Sequence, residues 1–109
     1  MYVYRVEHKN QRVDRGPYTL GLAYKPHLFD ENHPSPEQSG IQMSAEWNSC
    51  FAKESDLTKW FKRSDLTWFK EFDFDTFRYE VKADDVQLGD KQAAFRRDRA
   101  FKRQKVTLH

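Results

Sequence analysis

The sequence predicts an α+β domain with one main helix. Two segments, 2–8 and 76–83, alternate apolar and polar residues at a period near two, the spacing of a strand. Between them, Leu57, Trp60 and Phe61 recur at i, i+3, i+4, the spacing of one helix face. With 109 residues and no internal repeat, the chain has room for a single domain spanning 1–109.

The first strand runs from Tyr2 to His8, where aromatic and β-branched residues dominate around Arg5 and Glu7. Residues 14–40 hold Gly16-Pro17, Pro26, Pro34, Pro36 and Gly40 among Asp, Asn and Ser, the composition of a long ordered loop. Tyr18, Leu20, Leu22 and Tyr24 alternate and allow a short strand inside it. Residues 46–52 read as a buried strand or turn leading into the helix, which Ser55 is expected to cap. Ser64 is expected to cap a further turn carrying Leu66 and Phe69. Phe77, Tyr79, Val81 and Ala83 then form the inward face of a half-buried strand. Asp84-Asp85 and Gly89-Asp90 are turns on either side of Val86-Gln87-Leu88. Gln92 to Phe95 is another short strand, and Val106 and Leu108 alternate in a last one.

Composition sets what the core must be made of. Hydrophobic residues are 38% of the chain against a usual ~45–50%, and charged residues 33%, so a few large side chains must supply the interior. Nine Phe, five Tyr and three Trp do so, each burying about 150–250 Å². The net charge of +2 gives no strong steering toward nucleic acid or anionic lipid. Lys91, Arg96, Arg97, Arg99, Lys102, Arg103 and Lys105 nevertheless crowd the last stretch against Asp90 and Asp98. Interleaved with Phe95 and Phe101, they read either as a nucleic-acid surface or as the charged outer face of an edge strand.

A single cysteine, Cys50, excludes an internal disulfide and fits a reducing, cytoplasmic compartment. The N-terminal stretch lacks the basic start and apolar run of a signal peptide, and no segment nears the ~18 apolar residues of a membrane span. His27 and His33 flank a proline-containing loop without the tight paired spacing of a zinc site, so no metal is expected. Cys50 has no activating signature around it and reads as a core thiol. Trp47, Trp60 and Trp68 are candidates for an interaction patch, although its helical spacing assigns Trp60 to the core.

Three segments carry a resemblance to a known family. Tyr4-Arg5-Val6, Cys50-Phe51-Ala52-Lys53-Glu54-Ser55 and Lys91-Gln92-Ala93-Ala94-Phe95 resemble, in order and rough spacing, three elements of small ADP-ribosyltransferase-like domains. The resemblance implies two facing sheets with NAD in the cleft between them, Arg5 as phosphate or ribose anchor, and Ser49 and Phe51 beside it. It also implies Gln92 at the position of the catalytic Glu. An amide can bond a hydroxyl but carries no charge to offset an oxocarbenium-like centre, so a non-catalytic member fits this sequence as well as an active one. The bland reading places Arg5 and Gln92 facing solvent on two strands of an unrelated sheet.

Two further functions fit. A chain this short, charged and aromatic-rich is similar in style to small proteins of phages and mobile elements that bind and inhibit a host protein. The basic C-terminal segment fits a nucleic-acid accessory protein.

Overall fold

The structure, a computed structural model, describes residues 1–14 and 39–107. Six strands and two α-helices follow one another as β1 (Tyr2–His8), β2 (Asn48–Cys50), α1 (Glu54–Trp60), α2 (Arg63–Lys70), β3 (Phe74–Glu80), β4 (Val86–Leu88), β5 (Ala93–Phe95) and β6 (Lys102–Lys105). Short 3₁₀ turns at Ala83–Asp85 and Arg97–Arg99 precede β4 and β6. The strands form two antiparallel three-stranded sheets, in the orders β1-β3-β6 and β2-β5-β4. The α+β class and the two sheets stand. The single main helix is replaced by two.

The two faces of the first sheet are covered by different partners. On one, Val6 and Phe74 pack with Leu57, Trp60, Phe61 and Phe69 of the helical segment. On the other, Val3, Phe77, Tyr79 and Val81 pack with Cys50, Ala93 and Phe95 of the second sheet. The result is three layers: helices, first sheet, second sheet. This explains why β3 is not the half-buried strand its alternation predicts: Phe74 through Phe77 are all buried, because both faces are occupied at that end. Each fully buried large apolar side chain, such as Phe69, Phe74 or Phe95, contributes about 1.5–3 kcal/mol.

The sheets are stitched together at one point. Tyr4 and Phe51 exchange backbone hydrogen bonds of 2.7 Å in each direction, an isolated bridge that ties the edge of β1 to the residue after β2. Phe51 also packs its ring against Trp60 and Phe61, so the same residue joins the strand edge to the helical layer.

The helix caps differ from expectation. Ser55 lies inside α1, whose N-cap is Lys53, and Ser64 lies inside α2, whose N-cap is Lys62. The carboxylate of Asp65 accepts the Lys62 backbone N–H at 2.9 Å, which satisfies a donor at that helix start. The last strand ends three residues earlier than the Val106–Leu108 alternation indicates, on Lys102–Lys105, at the sheet edge. Its polar sequence suits an edge, where charge discourages pairing with a second chain. Nearly all of the expected 14–40 loop, with its Tyr18–Tyr24 strand and both His27 and His33, lies outside the described residues.

Candidate functional site

Antiparallel register puts Arg5 and Glu7 on the face of β1 that also carries Val3, alongside Phe77 and Tyr79 of β3 and Arg103 of β6. That face looks toward the second sheet, so the charges are buried with the apolar residues. Glu7 is 0% exposed and Arg5 7%. A buried carboxylate is tolerated only when paired and hydrogen-bonded. Glu7 is both. Tyr79 donates its hydroxyl to Glu7 Oε2 at 2.5 Å. Arg103 Nε reaches the same oxygen at 2.9 Å and Arg97 Nη2 at 3.1 Å, while Arg97 Nε lies 3.3 Å and Arg5 Nε 3.4 Å from Oε1.

The guanidiniums also fasten the chain that leaves β1. Arg103 donates to the carbonyls of His8 at 2.7 Å and Lys9 at 3.2 Å, and Arg97 donates to the carbonyl of Gln11 at 2.5 Å. Arg103 further lies 3.5 Å over the Phe77 ring. Past this turn, Asp14 receives Arg5 Nη2 at 3.0 Å and both contacts of the Asn48 amide, at 2.9 and 3.0 Å. Three guanidiniums, of Arg5, Arg97 and Arg103, thus face two carboxylates, Glu7 and Asp14. Counted among the described residues, one positive charge is left over.

Burial and the Glu7 carboxylate together push the Tyr79 phenol up to about 12, so Tyr79 stays a neutral donor well into alkaline solution. Burial works against the charge of Arg97, but Glu7 and Tyr79 outweigh it and hold the guanidinium protonated. Burial also pushes the Cys50 thiol up, with Arg5 pulling the other way, which keeps it a protonated core thiol.

Beside this cluster opens a cleft of about 200 Å³, lined by Gln11, Tyr79, Arg97, Phe101, Lys102 and Arg103 among others. Phe101, at 57% exposed, is one of the large apolar side chains the fold leaves in solvent. A larger cavity of about 310 Å³ opens beside the helix–sheet contact, between the helical segment and β3. Its walls include Val6, Phe61 and Phe69 of the core, and its buried carboxylate, Asp75, already accepts the Thr76 N–H and pairs with Lys105.

The structure places the residues expected to bind NAD as follows. Arg5 is bound to Glu7 and Asp14. Gln92 is buried just before β5, with its amide nitrogen 3.5 Å from Ser39 Oγ. Ser49 is exposed on β2, and the main chain of Phe51 bonds the first strand at Tyr4. Both Arg5 and Gln92 are buried, so neither faces solvent as the bland reading has it. Among the basic C-terminal residues, Arg96 pairs with Asp98 and Glu46, Arg97 and Arg103 with Glu7, Arg99 with Asp85, and Lys105 with Asp75. Sequence reasoning missed Glu7, Tyr79 and Asp14. A signal for Glu7 was present: β1 carries apolar residues of both parities, which makes both faces buried and obliges any charge between them to be paired.

No group of His, Cys, Asp and Glu side chains suited to a metal ion occurs among the described residues, and no helix among them is long and apolar enough to cross a membrane. What fold and site define is a small three-layer α+β protein organised around a buried guanidinium–carboxylate cluster with a side-chain-sized cleft beside it. The chain belongs to the bacteriophage T4 Y00F protein family, whose model matches residues 1–109. This corrects the resemblance to ADP-ribosyltransferase-like domains: the family that spans the whole chain is a different one, and no ADP-ribosyltransferase family model matches. Three short segments in the right order were too unspecific to define a family. No curated protein and no solved structure matches the chain.

Proposed function

We propose that this phage protein is a binding protein that acts on a host protein through the surface around Phe101. One observation carries the reading: a 57% exposed phenylalanine lines a cleft walled by Tyr79, Arg97, Lys102 and Arg103. Aromatic and arginine side chains around a pocket are the composition of interface hot spots. A volume of about 200 Å³ falls below the roughly 300–1,000 Å³ of small-molecule sites and suits one inserted side chain. The positive charge left over in the cluster, with Lys102 beside it, favours an acidic residue on the partner.

The nucleic-acid reading is the weaker one. Five of the seven basic residues that would meet phosphates, namely Arg96, Arg97, Arg99, Arg103 and Lys105, are held in ion pairs within the chain. Cations already neutralised release few counterions on binding.

The test is capture of host proteins on the immobilised full chain, compared with Phe101→Ala and Lys102→Glu. The captured protein is then purified and titrated against all three. A stoichiometric complex weakened at least tenfold by either substitution is expected. Equal binding by all three, or a complex that consists of nucleic acid and dissolves steeply with salt, overturns the proposal.

A further inference from the structure

We propose that the position held by Asp14 is an exchangeable oxyanion site, at which a phosphate group replaces the Asp14 carboxylate. The hydrogen-bonding groups of this site are Arg5 and Asn48, which do not line the Phe101 cleft, although Arg97, which does, also lies 3.8 Å from Asp14 and shares its charge balance. Among the described residues, Arg5 Nη1 is the one buried side-chain polar atom without a hydrogen-bond partner. Such a donor is costly to leave unmade. It belongs to a residue that is 7% exposed, and the neighbouring Nη2 of the same guanidinium holds Asp14 Oδ1 at 3.0 Å.

The two terminal nitrogens of a guanidinium form a planar fork that an anion grips with two oxygens. Asp14 does not do this. Its Oδ1 meets Nη2 at 3.0 Å, its two oxygens face the Asn48 amide at 3.0 and 2.9 Å, and neither reaches Nη1. A tetrahedral oxyanion has further oxygens, enough to keep the Asn48 contact and also serve Nη1. Charge points the same way. With Asp14 in place, the guanidiniums of Arg5, Arg97 and Arg103 exceed the carboxylates by one. A phosphate carrying about two negative charges, in its place, balances them with Glu7.

The two carboxylates differ in whether they can leave. Glu7 is fully buried, whereas the Asp14 side chain is 45% exposed and sits past the end of β1. Asp14 is therefore a tethered competitor whose high local concentration keeps the affinity of the intact chain for a free anion low. Asn48, on β2, and Arg5, on β1, stay fixed by their sheets when it moves.

Calorimetric titration of the full chain with inorganic phosphate, against sodium chloride at matched ionic strength, tests this. Asp14→Ala is expected to bind phosphate at least tenfold more tightly than the parent chain, and Asp14→Ala combined with Asn48→Leu to lose that gain. Methyl phosphate is a second probe: binding comparable to inorganic phosphate marks a site open to an esterified group, and binding of the inorganic ion alone marks a site for the free ion. Either supports the exchange. If Asp14→Ala does not fold, Asp14→Asn keeps the shape, drops the charge and carries the same expectation. No gain in either variant, or a gain that Asn48→Leu leaves untouched, overturns it.

Discussion

Tyr79 and Glu7, 72 residues apart in the chain, meet in a hydrogen bond of 2.5 Å between the two sheets. Around that bond Arg97 and Arg103 approach the same carboxylate from the 3₁₀ turn before β6 and from β6 itself. Glu7 is thereby the common partner of three distant segments, and the cleft beside Phe101 takes its shape from them.

Removing the Glu7 charge is therefore expected to be severe. Glu7→Leu leaves three guanidiniums facing Asp14 alone, and breaking a buried pair by deleting one partner costs about 3–5 kcal/mol. Glu7→Gln keeps an acceptor and should fall between Glu7→Leu and the parent. Urea unfolding monitored by tryptophan fluorescence measures both. A loss below about 1 kcal/mol for Glu7→Leu would show that the carboxylate is solvated.

Tyr79→Phe isolates the phenol. At neutral pH it removes a donor to Glu7 and an acceptor for Arg97, an expected loss of about 1–3 kcal/mol. The pH dependence follows from the raised phenol. A group whose folded value lies above its unfolded value contributes fully below the unfolded value, near 10, and loses that contribution as pH climbs toward about 12. The stability difference between parent and Tyr79→Phe should shrink across that window. A constant difference from pH 9 to 12 would contradict the burial of this hydroxyl.

How far the sequence made this legible depends on the range of the interaction. β1 was readable to the residue, because Tyr, Val and Tyr-Arg-Val leave little doubt about an extended chain, and the spacing of Leu57, Trp60 and Phe61 found the buried face of α1. The caps were not readable. Ser55 and Ser64 have the right chemistry, but Lys53 and Lys62 hold the N-cap positions, with Asp65 reaching back from inside α2. The basic C-terminal stretch was legible as charge and not as arrangement. Its local excess over Asp90 and Asp98 looks like an open cationic surface, yet Glu7 and Asp85 neutralise much of it from 96, 90 and 14 residues away. Gln92 was read as the first residue of a late strand, which begins one residue later at Ala93, and its neighbour Ser39 belongs to a part of the chain whose position no local pattern specifies.

Gly89, after β4, is fixed by crowding. A Cβ there would sit 2.7 Å from the Gln92 carbonyl oxygen and 2.8 Å from both the Ser39 carbonyl oxygen and Ile41 Cδ1. Two of those three atoms are backbone, and the Gly89 N–H donates to the same Gln92 oxygen at 2.9 Å. Gly89→Ala must therefore push apart the turn that joins β4 to β5, at a cost of about 1–3 kcal/mol. Thermal unfolding checks it. A neutral or stabilising alanine would mean that the turn has room it does not have here.

Cys50 offers a probe of whether the two sheets stay closed. Its thiol is 1% exposed, lies opposite Ala93 and packs within the cluster of Val3, Phe77 and Phe95. Burial raises it and Arg5 only partly counters that, so at neutral pH it is neither accessible nor ionised, and the thiolate is the species that reacts. Iodoacetamide should leave the native protein unlabelled and modify it fully in denaturant. Because labelling then requires separation of the sheets, the native rate should track global stability and rise in Glu7→Leu. Labelling of the parent chain at the rate of an exposed thiol would mean that the layers part without unfolding, and the burial of Glu7 and Arg5 would have to be given up with it.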